Sequence, residues 1–528
     1  MRRKPTEKGA AGAPEAVTLT LRCRAKTHPI SPLIYGIGAA PMHDLPDQWQ
    51  LGASARRWGG NHTSRYNWEL GNAWNTGKDW FFKNVDYDGK AAPAHQRFID
   101  DNTGHGVATA LAVPLIGWVA RDTRSYGFPV STFGPQRKTA PENQDIGDGV
   151  RPGGALVAPG PKERTSVPLP PASVGRWVAA NRARAASKRS AGVQIYILDN
   201  EPTLWSETHR DVHPKPLSYD ELLDKTLATA TEIRKADPAA WIAGPALWGW
   251  TALFSSGVDK AAHPAHPDRD RHGGTPLLPW WLGEIAAHEA RTGAHLLDLV
   301  DVHFYPQGKG IGVGTAGDTD LDTAARRIRS TRALWDPGYR DESWIAEEVK
   351  LIPRLESWIA ERHPGLRISI GEYNFGAEGH MSGGLAVAEA LGRFGVQGVS
   401  SAFYWDYPPR NTPAFWAFRA YRNFDGAGAR FLDDSLPAAS SDGRVSLFAS
   451  WSQADNHLVA ILLALDPTVP FEARMEASSC GRISSKRRFI YTAGSPSLVE
   501  ATSGDDVLST LLPPYSMTVL DLRFAPGS

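Results

Sequence analysis

Glu201 and Glu372 each close an apolar, β-branched run, Ile195-Tyr-Ile-Leu-Asp-Asn-Glu-Pro202 and Leu366-Arg-Ile-Ser-Ile-Gly-Glu-Tyr-Asn-Phe-Gly376. Two carboxyls flanking a glycosidic bond suffice to hydrolyse it. One protonates the leaving oxygen while the other attacks the sugar or activates water. Asn200, just before Glu201, offers a hydrogen bond to the sugar 2-hydroxyl, and Tyr373 beside Glu372 is expected to steady the second carboxylate. Asn61 after Arg57-Trp-Gly-Gly, His303 and Tyr305 in Asp301-Val-His-Phe-Tyr305, and Trp405 in Tyr404-Trp-Asp406 end further apolar runs and are candidate substrate contacts. Tryptophan is abundant, with 19 copies. Flat aromatic faces suit sugar rings, so Trp68, Trp74 and Trp405 are expected to meet substrate.

Such carboxylates need a rigid frame. Eight short apolar segments recur at 33–38, 53–58, 107–115, 193–198, 241–246, 297–304, 366–370 and 399–405. Several are almost continuously apolar, as strands buried on both faces are. Helical or irregular stretches separate them. Ser218 and Glu221 form a capping box ahead of an apolar stripe. Residues 344–362 carry helical spacing with Pro353 predicting a kink, and Leu385, Ala388, Leu391 and Phe394 mark a further helix. The alternation predicts an α/β fold, a (β/α)8 TIM-type barrel whose strand ends face the active site. From residue 425 short strands punctuated by Gly, Ser and Asp predict an accessory antiparallel β-sandwich. The expected domains are a disordered tail at 1–15, the barrel at 31–424, and the sandwich at 425–528 joined by a strand within 16–30. The proline-rich stretch 128–172 is read as a lid, a binding loop or a disordered segment.

Composition excludes several roles. Lys plus Arg and Asp plus Glu both total 57, so no net field attracts nucleic acid or an anionic membrane. No apolar stretch reaches the roughly 20 residues of a membrane span, and a monomer is expected. The basic N-terminus lacks the apolar core of a signal peptide. The two cysteines, Cys23 and Cys480, are expected to be buried free thiols, with a bridge open only should the N-terminal strand pack on the C-terminal domain. His263, His266 and His272 lack metal-site spacing. Asp318, Asp320 and Asp322 begin like a calcium loop, but Thr323 and Arg329 stand where Gly and Glu belong. Asn143, Asp145 and Asp148 leave a structural Ca²⁺ open, whereas the chemistry itself needs no cofactor.

With these residues in view, the chain resembles glycoside hydrolase family 44, the bacterial endoglucanases and xyloglucanases. The resemblance rests on Arg57-Trp-Gly-Gly-Asn-His-Thr-Ser-Arg-Tyr-Asn-Trp68, Asp79-Trp-Phe-Phe82, Leu198-Asp-Asn-Glu-Pro-Thr-Leu-Trp205, Arg329-Ser-Thr-Arg-Ala-Leu-Trp-Asp-Pro337, Asp341-Glu-Ser-Trp344 and Gly371-Glu-Tyr-Asn-Phe-Gly376. Leu512-Pro-Pro-Tyr-Ser-Met-Thr-Val-Leu520 is similar to the last strand of the family's accessory sandwich. It implies that Glu201 is the acid/base and Glu372 the nucleophile of a retaining endo-β-1,4-glucanase, that xyloglucan is among its substrates, and that the protein is secreted. No carbohydrate-binding module accompanies the barrel, which favours soluble glucan as the polymer partner. A xylanase or exo-β-glycosidase on the same scaffold, and a non-catalytic β-glucan-binding protein, are the competing readings.

Overall fold

Eight parallel strands close into a barrel in sequence order: β1 (Gly36–Ala39), β2 (Ala55–Trp58), β3 (Ala108–Val113), β4 (Ile195–Leu198), β5 (Trp241–Leu247), β6 (Leu299–Phe304), β7 (Arg367–Tyr373) and β8 (Ser401–Tyr404). The computed structural model describes residues 13–39, 46–313, 318–501 and 508–525. Each of the eight expected segments supplies one strand. Their largely apolar character follows from burial on both faces, by side chains filling the barrel and by the surrounding helices. The edges moved for local reasons. Pro32–Tyr35 forms a 3-10 turn whose Ser31 hydroxyl caps the Leu33 N–H, so β1 starts later than expected. β7 runs on past Ile370 to Tyr373, which places Glu372 inside the strand rather than beyond it.

The helices obey their end signals, with two corrections. Ser218 caps Tyr219–Ala236 by accepting from the Glu221 N–H. The reciprocal arm of the capping box is replaced by a hydrogen bond between His213 Nε2 and Glu221 Oε1 at 2.8 Å. The helix expected over 344–362 begins only at Leu351. Pro353 therefore lies in the first turn, where a missing N–H breaks no helical bond, and no kink is required. Residues 128–172 are folded. Asn143–Gly147 pairs with Thr139–Ala140, and Ser166–Pro168 pairs with Trp118–Ala120. Phe82, Phe128 and Val157 form a small core of their own. Arg210 lies over the Phe128 ring and donates to the Gly149 and Val157 carbonyls.

The C-terminal strands form two packed sheets, of four and seven strands. In His457–Ala464, Leu458, Ala460 and Leu462 enter the core between the sheets, while Val459, Ile461 and Leu463 pack on the barrel's cluster. That double burial is why the strand is apolar throughout. Glu15–Leu21 joins the four-stranded sheet, antiparallel to Ala438–Ser440 but parallel to Phe471–Glu476, so the sandwich is not wholly antiparallel. The tail assigned to 1–15 is therefore a strand from Glu15 onward, and residues 1–12 lie outside the described residues. This N-terminal strand carries Cys23 to Cys480, and the two form a disulfide rather than free thiols. Among the described residues no helix is long and apolar enough to cross a membrane.

Candidate active site

Glu201 and Glu372 meet at the C-terminal mouth of the barrel by two different backbone devices. At β4 the chain leaves Leu198 through Asp199 and Glu201, both left-handed, with φ of 68° and 48°. Such conformations cost on the order of 1–3 kcal/mol each and persist only where the surroundings over-determine them. Here the buried Asp199 carboxylate does so. It accepts from the Leu115 and Ile116 N–H groups, the Ser64 hydroxyl, the Asn200 N–H and the Trp205 indole. Burial still pushes Asp199 upward, against these hydrogen bonds. The Glu201 N–H is taken by the Ala246 carbonyl on β5 at 3.0 Å.

At β7 the device is a bulge. Val302 pairs with Ile370, but the next residue, His303, pairs with Glu372, so Gly371 is the extra residue. A bulge shifts the following side chain to the other face of the strand. In regular alternation Glu372 would point toward the helices, and the bulge turns it inward beside His303. Gly371 is required there, because a Cβ would lie 2.5 Å from the Asp301 carboxylate. The same shift turns Tyr373 outward. Tyr373 is fully buried among Phe375, Phe394 and Tyr404. Its expected role beside the second carboxylate is corrected: it is a packing residue.

A tight network joins the two carboxylates. Arg57 Nη1 donates to Glu372 Oε1 at 2.6 Å and Nη2 to Asn200 Oδ1 at 3.1 Å. The Tyr305 hydroxyl donates to Glu372 Oε2 at 2.6 Å. His303 Nδ1 lies 2.9 Å from Glu201 Oε1 and 3.4 Å from Glu372 Oε2. One ligand-competent atom from each of Glu201, His303 and Glu372 lies within 4.8 Å of the others. Asn200 Nδ2 donates to Asn61 Oδ1, whose amide nitrogen reaches Asp79. Asn61, Asn200, His303 and Tyr305 thus assemble around the pair of glutamates as expected from their strand-end positions.

Charge in this network is strongly biased. Burial opposes the Glu372 anion, yet His303, Arg57 and the Tyr305 and Arg57 hydrogen bonds hold it below the usual glutamate range. Burial lowers His303, but the Glu372 and Glu201 carboxylates lift it above its ordinary value. Burial and the Glu372 charge push Tyr305 well up, so it remains a donor. His62, beside the site, is pushed down to about 4 by burial and is neutral at higher pH. The compact Glu201–His303–Glu372 group is the one set of His, Cys, Asp or Glu side chains, among the described residues, close enough to hold a metal ion. The Arg57 guanidinium against Glu372 opposes a second cation there.

The aromatic assignments divide. Trp405 is half-buried at the mouth, where a Cβ on Gly60 would come within 2.8 Å of its ring. Trp74 is fully buried against Trp58, Tyr66 and Tyr87 and cannot present a face to sugar. Trp68 stacks parallel to Trp177, with ring centroids 6.4 Å apart, and packs on the core. Both were expected at the substrate because they lie among Gly and Asn, but those residues form tight turns over an aromatic core. The oxygens considered for calcium have protein partners. Asp145 accepts from Tyr126 and Ser131, and Asp148 from Arg137, so protein donors already hold these oxygens. Arg57, His62 and Asp199 escaped the sequence reading as site residues. An arginine inside the apolar run at 53–58 was the available signal for the first.

Comparison with known proteins adds to this geometry. The model of glycoside hydrolase family 44 matches residues 73–308. Endoglucanase A of Paenibacillus lautus is 32% identical over 481 residues, covering 87% of this chain. The chain spans 65% of that relative's length. CelM2, a bifunctional glucanase-xylanase from a metagenome library, is 34% identical with a TM-score of 0.90, and the match covers 97% of this chain and 100% of CelM2. A Paenibacillus polymyxa family 44 xyloglucanase, solved with xyloglucan, is 26% identical with a TM-score of 0.79, over 97% of this chain and 100% of that one.

Proposed function

The chain belongs to glycoside hydrolase family 44, and from that premise we propose that it is a retaining endo-β-1,4-glucanase acting on β-glucans, xyloglucan among them. The observation that carries the mechanism is the approach of the two glutamates, with ligand-competent oxygens within 4.8 Å of each other. Retaining glycosidases hold their carboxyls about 5–5.5 Å apart, whereas inverting ones leave roughly 6.5–9.5 Å for a water. In the first step a Glu372 oxygen bonds to the anomeric carbon, the glycosidic C–O bond breaks, and the Glu201 proton passes to the departing oxygen. In the second, Glu201 takes a proton from water as the water oxygen displaces Glu372. Arg57 and Tyr305 hold the nucleophile ionised and oriented at no cost in reorganisation. Asn200, anchored by Arg57 and Asn61, is the group that meets the sugar beside the cut.

The likeness to the xyloglucanase supports xyloglucan as substrate. The likeness to CelM2 supports a second activity, on xylan, at the same site. Reducing-end release from xyloglucan, carboxymethylcellulose, mixed-linkage glucan and xylan, with Glu372→Gln as control, tests both. Release from a glucan, abolished by the substitution and preceded by a fall in viscosity, is the expected result. Silence on all four polymers, with binding retained, would identify a non-catalytic glucan-binding protein instead.

A further inference from the structure

His303 has a different neighbour on each ring nitrogen. Nε2 faces Arg57 Nη2 at 3.4 Å, while Nδ1 faces Glu201 Oε1 at 2.9 Å and Glu372 Oε2 at 3.4 Å. A guanidinium nitrogen only donates, so a proton on Nε2 would set two donors against each other. Arg57 has no freedom to turn away, since Nη1 is bound to Glu372 and Nη2 also to Asn200. On the other edge both neighbours are carboxylate oxygens, which favour an N–H.

From these contacts we infer that Arg57 fixes a proton on Nδ1 of His303, and that His303 thereby assigns the acidic proton of Glu201 to its other oxygen, Oε2. This deepens the glycosidase reading and rests on it. Oε1 accepts from the Nδ1 proton and so is the carbonyl oxygen of the acid form. The reverse arrangement, Oε1–H donating to a bare Nδ1, would put the ring proton on Nε2 against Arg57. Arg57 selects the Nδ1 tautomer of the neutral ring; the imidazolium, which the two carboxylates favour, keeps the Nδ1 proton too, with its Nε2–H set against Arg57. Glu201 is 16% exposed. Among the described residues Oε2 makes no hydrogen bond, and it is not sealed from solvent, so it opens to the barrel mouth. The proton thus sits on the oxygen a substrate can reach. Arg57 and His303 act here as positioning residues, through Glu201. The other ionisable groups around the ring are Glu372 on β7, with Asp301 and Tyr305 flanking it on the β6 side.

The role separates from a merely structural one by leaving group. A dinitrophenyl β-cellobioside departs without a proton, whereas cellotetraose requires one. His303→Leu is expected to lower kcat/KM on cellotetraose by roughly 100-fold or more, the scale of general acid catalysis, and on the dinitrophenyl substrate by far less. His303→Asn, which restores an N–H near the Nδ1 position, is expected to recover much of the loss on cellotetraose. Equal losses on both substrates would overturn the inference. In the wild-type protein labelled with ¹⁵N-histidine, the His303 resonance, identified by its loss in His303→Asn, should report a protonated Nδ1 throughout the working pH range. A bare Nδ1 would overturn the inference even where the variants fail to fold. Wild-type protein that cleaves neither substrate would refute the glycosidase reading alone, since the nitrogen spectrum reads the tautomer without turnover.

Discussion

Arg57 Nη1 lies 2.6 Å from Glu372 Oε1, in an ion pair that joins β2 to β7 across the barrel mouth with neither side chain more than 6% exposed. A buried ion pair is a poor source of net stability, because desolvation offsets most of the attraction. Its consequence here is electrostatic: it keeps a negative charge where burial alone would remove it.

The pH profile should carry that signature. As the proposed nucleophile Glu372 has to be ionised, and its carboxyl is held below the ordinary glutamate range. The acid limb of kcat/KM should accordingly fall below that range as well. Arg57→Met removes one cation and one hydrogen bond from the carboxylate, so protonation sets in at higher pH and the acid limb moves up. A limb that stays in place in this variant would show that Arg57 does not control the nucleophile's charge.

The proposed division of labour between the glutamates predicts two different losses. Glu372→Gln should abolish turnover while oligosaccharide binding stays measurable by calorimetry. Glu201→Ala should slow cleavage of unactivated substrates roughly 100- to 10,000-fold. Added azide should then restore turnover of a dinitrophenyl cellobioside and yield the β-glycosyl azide, since the small anion fills the space and needs no base. An α-azide product would mean inversion, and near wild-type turnover by Glu372→Gln would remove Glu372 from the mechanism.

The Cys23–Cys480 bridge closes a loop of 457 residues and fastens the strand Glu15–Leu21 to the C-terminal segment. Disulfides typically contribute about 2–4 kcal/mol, chiefly by restricting the unfolded chain. Cys480→Ser should lower stability by about that amount, read as a fall in the urea midpoint. kcat should not change, because the bridge belongs to the sandwich and not to the barrel mouth. Equal midpoints in the presence and absence of reductant would show that the bridge contributes nothing.

The barrel was legible because parallel strands buried on both faces are written mainly in apolar residues, as most of the eight are; β2, Ala55-Arg-Arg-Trp58, is the exception. Glu201 and Glu372 stood out for the same reason, as carboxylates breaking such runs. What escaped were features set by the third dimension. The bulge at Gly371 inverts which of Glu372 and Tyr373 faces inward, and a lone glycine in a strand does not state its register. Arg57 sat unnoticed inside an apolar run because its partners, Glu372 and Asn200, are 315 and 143 residues away. The bridge between Cys23 and Cys480 depends on a strand pairing across almost the whole chain. The stretch at 128–172 looked loose by composition, yet Arg210, from a different segment, ties it down.

Trp74 and Trp405 make the sharpest test of that distinction, because both looked like sugar platforms. Trp74 is sealed in an aromatic cluster with Trp58, Tyr66 and Tyr87. Its truncation to alanine leaves a large cavity and should cost about 3–5 kcal/mol of stability. Trp405 keeps part of its surface open beside Gly60 at the mouth, so Trp405→Ala should leave the unfolding midpoint almost unchanged while raising KM for cello-oligosaccharides. Thermal unfolding and oligosaccharide kinetics on the same two variants decide the matter. If Trp74→Ala folded normally and lost substrate affinity, the buried cluster would not be the role of that side chain. If Trp405→Ala kept its KM and lost stability, the ring at the mouth would be packing against β1 and β2 rather than waiting for a sugar.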